Sequence, residues 1–97
     1  VSGPFVLNTK SRTLTKNGKL VELTQVEYEI MEYFFNNPNT ALDRSTILAR
    51  IWGDEYYGDD KIVDVNIRRI RMKIEDEPSA PKYIVTIWGY GYKWEAK

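Results

Sequence analysis

The chain has 97 residues, 42% hydrophobic and 13% aromatic, enough for one domain with one small core. It has no cysteine, which excludes a disulfide framework and a thiolate zinc site. It has no histidine, which removes the commonest general base, metal ligand and phospho-accepting side chain. Lys plus Arg number 14 and Asp plus Glu 14, so a polyanion would have to be met by a segregated basic face rather than by bulk charge.

No apolar run approaches the roughly 18 residues of a membrane span, and no signal peptide is visible. The composition fits a cytoplasmic soluble protein. The abrupt start at Val1 suggests a piece of a longer chain.

Residues 1–23 are expected to be strands. Phe5–Leu7, Arg12–Thr15 and Lys19–Leu23 are short runs rich in β-branched and apolar residues, separated by Asn8–Lys10 and Asn17-Gly18. Asn-Gly between extended runs signals a tight hairpin, because both residues tolerate φ > 0.

Residues 24–37 form the first predicted helix. Thr24-Gln-Val-Glu27 is a capping box at its start, and Pro38 ends it. Polar Gln25, Glu29, Glu32 and Asn36 share one narrow arc. Val26, Tyr28, Ile30, Met31, Tyr33, Phe34 and Phe35 fill the rest, so this helix should be buried on most of its circumference. Residues 43–52 form a second helix, with Asp43 as cap, Ile47, Leu48 and Ile51 as the buried stripe and Gly53 as stop. Residues 53–58 begin an acidic, aromatic loop, which reads either as a connector or as a partner-contact surface.

Residues 59–75 form the third helix. Val63, Ile67, Ile70 and Ile74 fall at i, i+4, i+7 and i+11, one apolar stripe. The opposite arc carries Lys61, Val65, Arg68, Arg69 and Met72, flanked by Arg71 and Lys73. Five cations stand against Asp64 alone over residues 61–73, a local excess of four. Asp59 or Asp60 can cap the N-terminus, a reading preferred over weak cation binding by the pair. A basic helix with a firm apolar anchor suits the major groove of DNA, although a solvated surface helix has the same look. Residues 82–95 then read as a β-hairpin, with Gly89-Tyr90-Gly91 at its tip.

The order is strands, helix, helix, loop, basic helix, hairpin. It describes an α+β winged helix-turn-helix in which groove-reading helix and hairpin can touch one duplex. These residues resemble the DNA-binding effector domain of OmpR/PhoB-type response regulators over essentially the whole chain. The matching segments are Leu23-Thr24 with Glu27-Tyr28, Arg44–Leu48, Ile51-Trp52-Gly53, Val63–Arg71 and Gly89–Tyr92.

The resemblance implies an N-terminal four-stranded sheet, three helices and a C-terminal wing. It also implies a receiver domain, absent here, phosphorylated by a sensor kinase, and dimeric binding to tandem half-sites. It places Val65, Asn66 and Arg69 at base edges, with Arg69 the guanine reader, Val65 on a thymine methyl and Asn66 on adenine. Arg44, Trp52, Lys61, Arg68, Arg71, Lys73 and Thr86 fall to the DNA backbone. Asp54, Glu55, Tyr56 and Tyr57 fall where such proteins contact RNA polymerase.

In the wing, Trp88 stands where many members carry an Arg that enters the minor groove, with Tyr90 at the tip and Lys93 nearby. A Trp cannot supply that cation. Structural packing within the hairpin is the preferred reading of Trp88, over contact with the sugar–phosphate. No cofactor or metal is implied. The alternative function is a winged-helix protein-interaction module using the acidic loop or the sheet. An enzyme is disfavoured, because the carboxylates lack a His, Cys or Gly-rich phosphate cradle.

Overall fold

Asn17 and Gly18 both take positive φ, 53° and 80°, and close a two-residue hairpin between paired Lys16 and Lys19. They join β2 (Thr13–Lys16) to β3 (Lys19–Val21), while β1 (Phe5–Asn8) pairs with the other side of β2. The turn before β2 is set by Asn8, whose side-chain oxygen accepts from the Lys10 and Ser11 amides at 3.0 Å. The computed structural model describes residues 2–53 and 58–96. Among them no helix is long and apolar enough to cross a membrane.

The first helix, α1 (Gln25–Asn36), starts on the predicted capping box. The Glu27 amide donates to Thr24 Oγ1 at 3.2 Å and the Thr24 amide to Glu27 Oε1 at 2.9 Å. Only Gln25 and Asn36 of this helix are exposed. Its buried Ile30, Met31 and Phe34 form the middle of the core. Trp94 joins them from the far end of the chain, its ring 5.1–6.4 Å from those of Phe5, Phe34, Phe35 and Tyr83. Its indole N–H donates to Ser2 Oγ at 3.0 Å.

Next come β4 (Leu42–Asp43) and α2 (Arg44–Trp52), then α3 (Lys61–Ile74), β5 (Ile84–Ile87) and β6 (Gly91–Trp94). Asp43 caps α2, accepting from the Thr46 amide at 3.2 Å. In α2 only Ile47 is fully buried, with Leu48 and Ile51 partly covered.

The resemblance implied four N-terminal strands, but β1–β3 make a sheet of three. The chain passes from Val21 into the Thr24 cap, and the short β4 pairs with β6 instead. That second sheet has the order β4-β6-β5. It fastens the C-terminal hairpin to the entry of α2.

Candidate nucleic-acid interface

The third helix divides as its periodicity predicts. Val63, Ile67, Ile70 and Ile74 are fully buried. Lys61, Val65, Arg68, Arg69 and Met72 are exposed, Val65 by 46% and Met72 by 68%. Burial of the stripe holds the helix against the core and turns the other arc to solvent. At the N-terminus the cap is Asp59, whose Oδ1 accepts from the Lys61 amide at 2.9 Å and whose pKa that bond lowers. Asp60 makes no capping bond.

The exposed face is narrower than the count of cations suggested. Arg44 forks onto Asp64: its Nη2 pairs with Oδ2, and its Nε donates to Oδ1 at 3.1 Å. Asp60 lies 3.9 Å away as a second counter-charge. The Asp64 hydrogen bond raises the Arg44 pKa. Lys73, expected at the DNA backbone, donates instead to the buried Glu27 carboxylate at 2.6 Å. Arg71, also expected there, turns into the wing. Its Nε and Nη2 donate to the Ile84 carbonyl at 3.1 and 2.7 Å, and Nη2 also reaches Thr86 Oγ1 at 2.9 Å. Burial lowers its pKa.

Asn66 is corrected as well. It is buried and its Nδ2 donates to the Ile62 carbonyl of its own helix at 2.9 Å, so its amide faces away from the exposed arc. Trp52 is half-buried and packs against the core. Thr86 accepts from Arg71 and keeps its own O–H as a donor. Among the described residues Lys61, Arg68 and Arg69 have no ion-pair partner. Asp54, Glu55, Tyr56 and Tyr57 lie outside the described residues.

A shared carboxylate adds a second tie between the wing and the helix. The Tyr92 O–H donates to Asp64 Oδ1 at 2.5 Å, and the Arg71 guanidinium lies 5.4 Å from the Tyr92 ring centre. Burial, then the Asp64 hydrogen bond, push the Tyr92 pKa up to about 12. At the other end of α3, the buried Glu75 carboxylate accepts from the amides of Lys82, Tyr83 and Ile84 at 2.7–3.2 Å, fixing where β5 begins. Sequence reasoning missed both anchors. The lone acid inside a cationic helix was the available signal for Asp64. Glu75 looked like one more charge in a polar break.

Gly89 and Gly91 serve different ends. Gly89 has φ 75° and stands third in a turn closed by the Tyr90 amide donating to the Ile87 carbonyl at 2.9 Å. A Cβ on Gly91 would lie 2.0 Å from the Leu42 carbonyl oxygen, so β6 approaches β4 this closely only without a side chain. The tip is further held by the Arg44 amide, which donates to the Tyr90 carbonyl at 3.3 Å.

On this tip Trp88 is 90% exposed and Tyr90 half exposed. The expectation that Trp88 packs within the hairpin is therefore overturned. It sits at the turn, beyond the last paired residues Ile87 and Gly91, where neither hairpin face can cover it. Lys93, expected to supply charge beside it, is paired with Glu95 at 2.9 Å.

Comparison with known proteins fits this arrangement. The family model described as "Transcriptional regulatory protein, C terminal" matches residues 18–94. An uncharacterised transcriptional regulatory protein, YcbL of Bacillus subtilis, is 42% identical over 81 residues, covering 84% of this chain and 36% of that protein. The structure is similar to the Klebsiella pneumoniae RstA DNA-binding domain in complex with the RstA box. There the TM-score is 0.89 with 26% identity, over 98% of this chain and 94% of that one. It is similar also to the response regulator DrrB, a Thermotoga maritima OmpR/PhoB homolog, with a TM-score of 0.90 and 34% identity. That match covers 97% of this chain and 42% of DrrB. The chain thus spans well under half the length of YcbL.

Proposed function

The chain belongs to the family of transcriptional regulatory protein C-terminal domains, and on that premise we propose that it binds double-stranded DNA sequence-specifically, as the effector half of a two-component response regulator. The observation that carries the reading is the division of α3. A fully buried stripe fixes the helix, and the opposite arc offers Val65 and three cations without ion-pair partners among the described residues. A helix so presented fits the major groove of B-DNA, with a hairpin alongside that is bonded to the same helix.

In this reading Arg69 reads a guanine through its planar fork, Val65 packs on a thymine methyl, and Lys61 and Arg68 meet phosphates. Two copies bind tandem half-sites. A receiver domain phosphorylated by a sensor kinase governs them from a part of the protein outside this chain. The Gly53–Asp60 loop touches RNA polymerase, and the protein works in the cytoplasm. No catalysis is assigned to it.

Selection of binding sites from random duplexes tests the reading. Enrichment of one motif, spaced as a repeat, supports it. Failure to retain any duplex at low salt rejects it in favour of a protein-interaction module.

A further inference from the structure

The wing tip combines three properties that major-groove reading by α3 does not use. It is apolar: Trp88 is 90% exposed and Tyr90 half exposed, side by side across Gly89. It is rigid: the Ile87–Tyr90 turn is closed by a backbone bond, the Tyr90 carbonyl is held by the Arg44 amide, and Gly91 is pressed against β4. And it lacks a cation at liberty to act there. Among the described residues Arg44 is engaged by Asp64, Arg71 by the Ile84 carbonyl and Thr86, and Lys93 by Glu95.

A hairpin that entered a narrow minor groove by charge would present an unpaired Arg or Lys to its negative potential. This one presents an indole instead. Apolar side chains brought to the minor groove act differently: they wedge between base steps, unstack them in part and bend the duplex. An indole carries about 150–250 Å² of largely apolar surface to bury there. Its N–H is a donor that suits the thymine O2 and adenine N3 acceptors of the groove floor. A fixed tip loses little conformational freedom when it inserts. Asp64 of α3 lines one cleft with Arg44, Thr86, Trp88, Tyr90 and Tyr92, which puts the tip beside the helix that offers the groove-reading arc.

We propose that Trp88 enters the minor groove of the bound duplex as an apolar wedge, so that the wing selects an easily unstacked pyrimidine–purine step rather than a narrow A-tract. The proposal rests on the DNA-binding reading and deepens it. Position-specific preference then arises from deformability, because TA and CA steps resist unstacking least, while the indole N–H finds an acceptor at any A·T pair and adds no distinction between the two.

The experiment uses a selected duplex in which 2-aminopurine replaces adenine at successive positions beside the motif. The wild-type chain is compared with Trp88→Ala and Trp88→Arg, each first shown by thermal melting to keep the fold. Wild type should brighten 2-aminopurine several-fold at one step, through unstacking. Trp88→Ala should abolish the rise, lose about tenfold in affinity for the selected site and, on reselection, lose the preference at that step. Trp88→Arg should regain affinity while shifting the preference to A-tracts. Specific binding by wild type without brightening at any position would overturn the wedge yet leave the DNA reading intact. So would a Trp88→Ala loss seen on paired half-sites and absent on a single one, which would mark Trp88 as a contact between protein copies. Absence of binding to every duplex would remove both.

Discussion

The Tyr92 hydroxyl donates to Asp64 Oδ1 at 2.5 Å, a direct bond from the return strand of the wing to the helix beside it. The folded protein holds the Tyr92 pKa at about 12, above its ordinary value near 10, because burial and the carboxylate both oppose ionisation. A raised folded pKa contributes stability that is complete below pH 10 and is lost as pH climbs from 10 through 12. About 1–2 kcal/mol is at stake, once solvent in the open cleft is allowed for. Urea titrations across that window should show wild type losing its advantage over Tyr92→Phe. A constant difference between the two would disprove the linkage.

Arg69 and Arg68 are neighbours on the exposed arc, but their loss should read out differently. Arg69→Ala should cost about 1–3 kcal/mol on the selected site and relax preference at one base pair. Arg68→Ala should weaken all duplexes alike. With Lys61, Arg68 and Arg69 the helix cations still free of ion pairs among the described residues, log K against log salt should fall with a slope of roughly −3. Five free cations would have given between −4 and −5. Such a steep slope, measured, would mean that Arg44 and Arg71 both leave their internal partners on binding.

Lys73 belongs to the core's charge balance. Its removal leaves the Glu27 carboxylate buried without its counter-ion, though still bonded to the Thr24 amide. Lys73→Ala should destabilise the fold by about 1–3 kcal/mol, less than a fully buried pair because the lysine is a third exposed. Duplex affinity and its salt dependence, measured below the melting transition, should be unaltered. A lower salt slope for this variant would return Lys73 to the backbone contacts.

Glu75 predicts a loss of similar size from a change of one atom. Glu75→Gln keeps the shape but puts an amide N–H₂ among three backbone donors that a carboxylate satisfies. About 2–3 kcal/mol should go, through charge-assisted bonds lost and donors left facing a donor. Hydrogen exchange should then be faster at the Lys82, Tyr83 and Ile84 amides than elsewhere in the hairpin. Unchanged protection there would show that the hairpin start is held by other means.

What could be read from the sequence was what depends on near neighbours. The apolar stripe of α3, the Thr24–Glu27 box and the Asn17-Gly18 turn are each decided within a few residues, and each formed as expected. Which cations remain available is decided elsewhere. Arg44 meets Asp64 across 20 positions and Lys73 meets Glu27 across 46, and a helical wheel counts such residues as free. Trp88 misled for a related reason. Tryptophan is highly buried on average, and only the turn geometry tells that this one has no wall to rest on.

The bond from the Trp94 indole to Ser2 spans 92 positions, and the same ring touches aromatics from β1, α1 and the start of the hairpin. A ribosome releases Ser2, Phe5 and the α1 aromatics long before it releases Trp94. While β6 is still in the exit tunnel, α1 has an open aromatic socket and β4 has no strand to pair with. Closure of the core around Trp94, and of the second sheet on β6, therefore waits for the last strand. Until then a nascent chain carries the basic helix without the wing that is bonded to it.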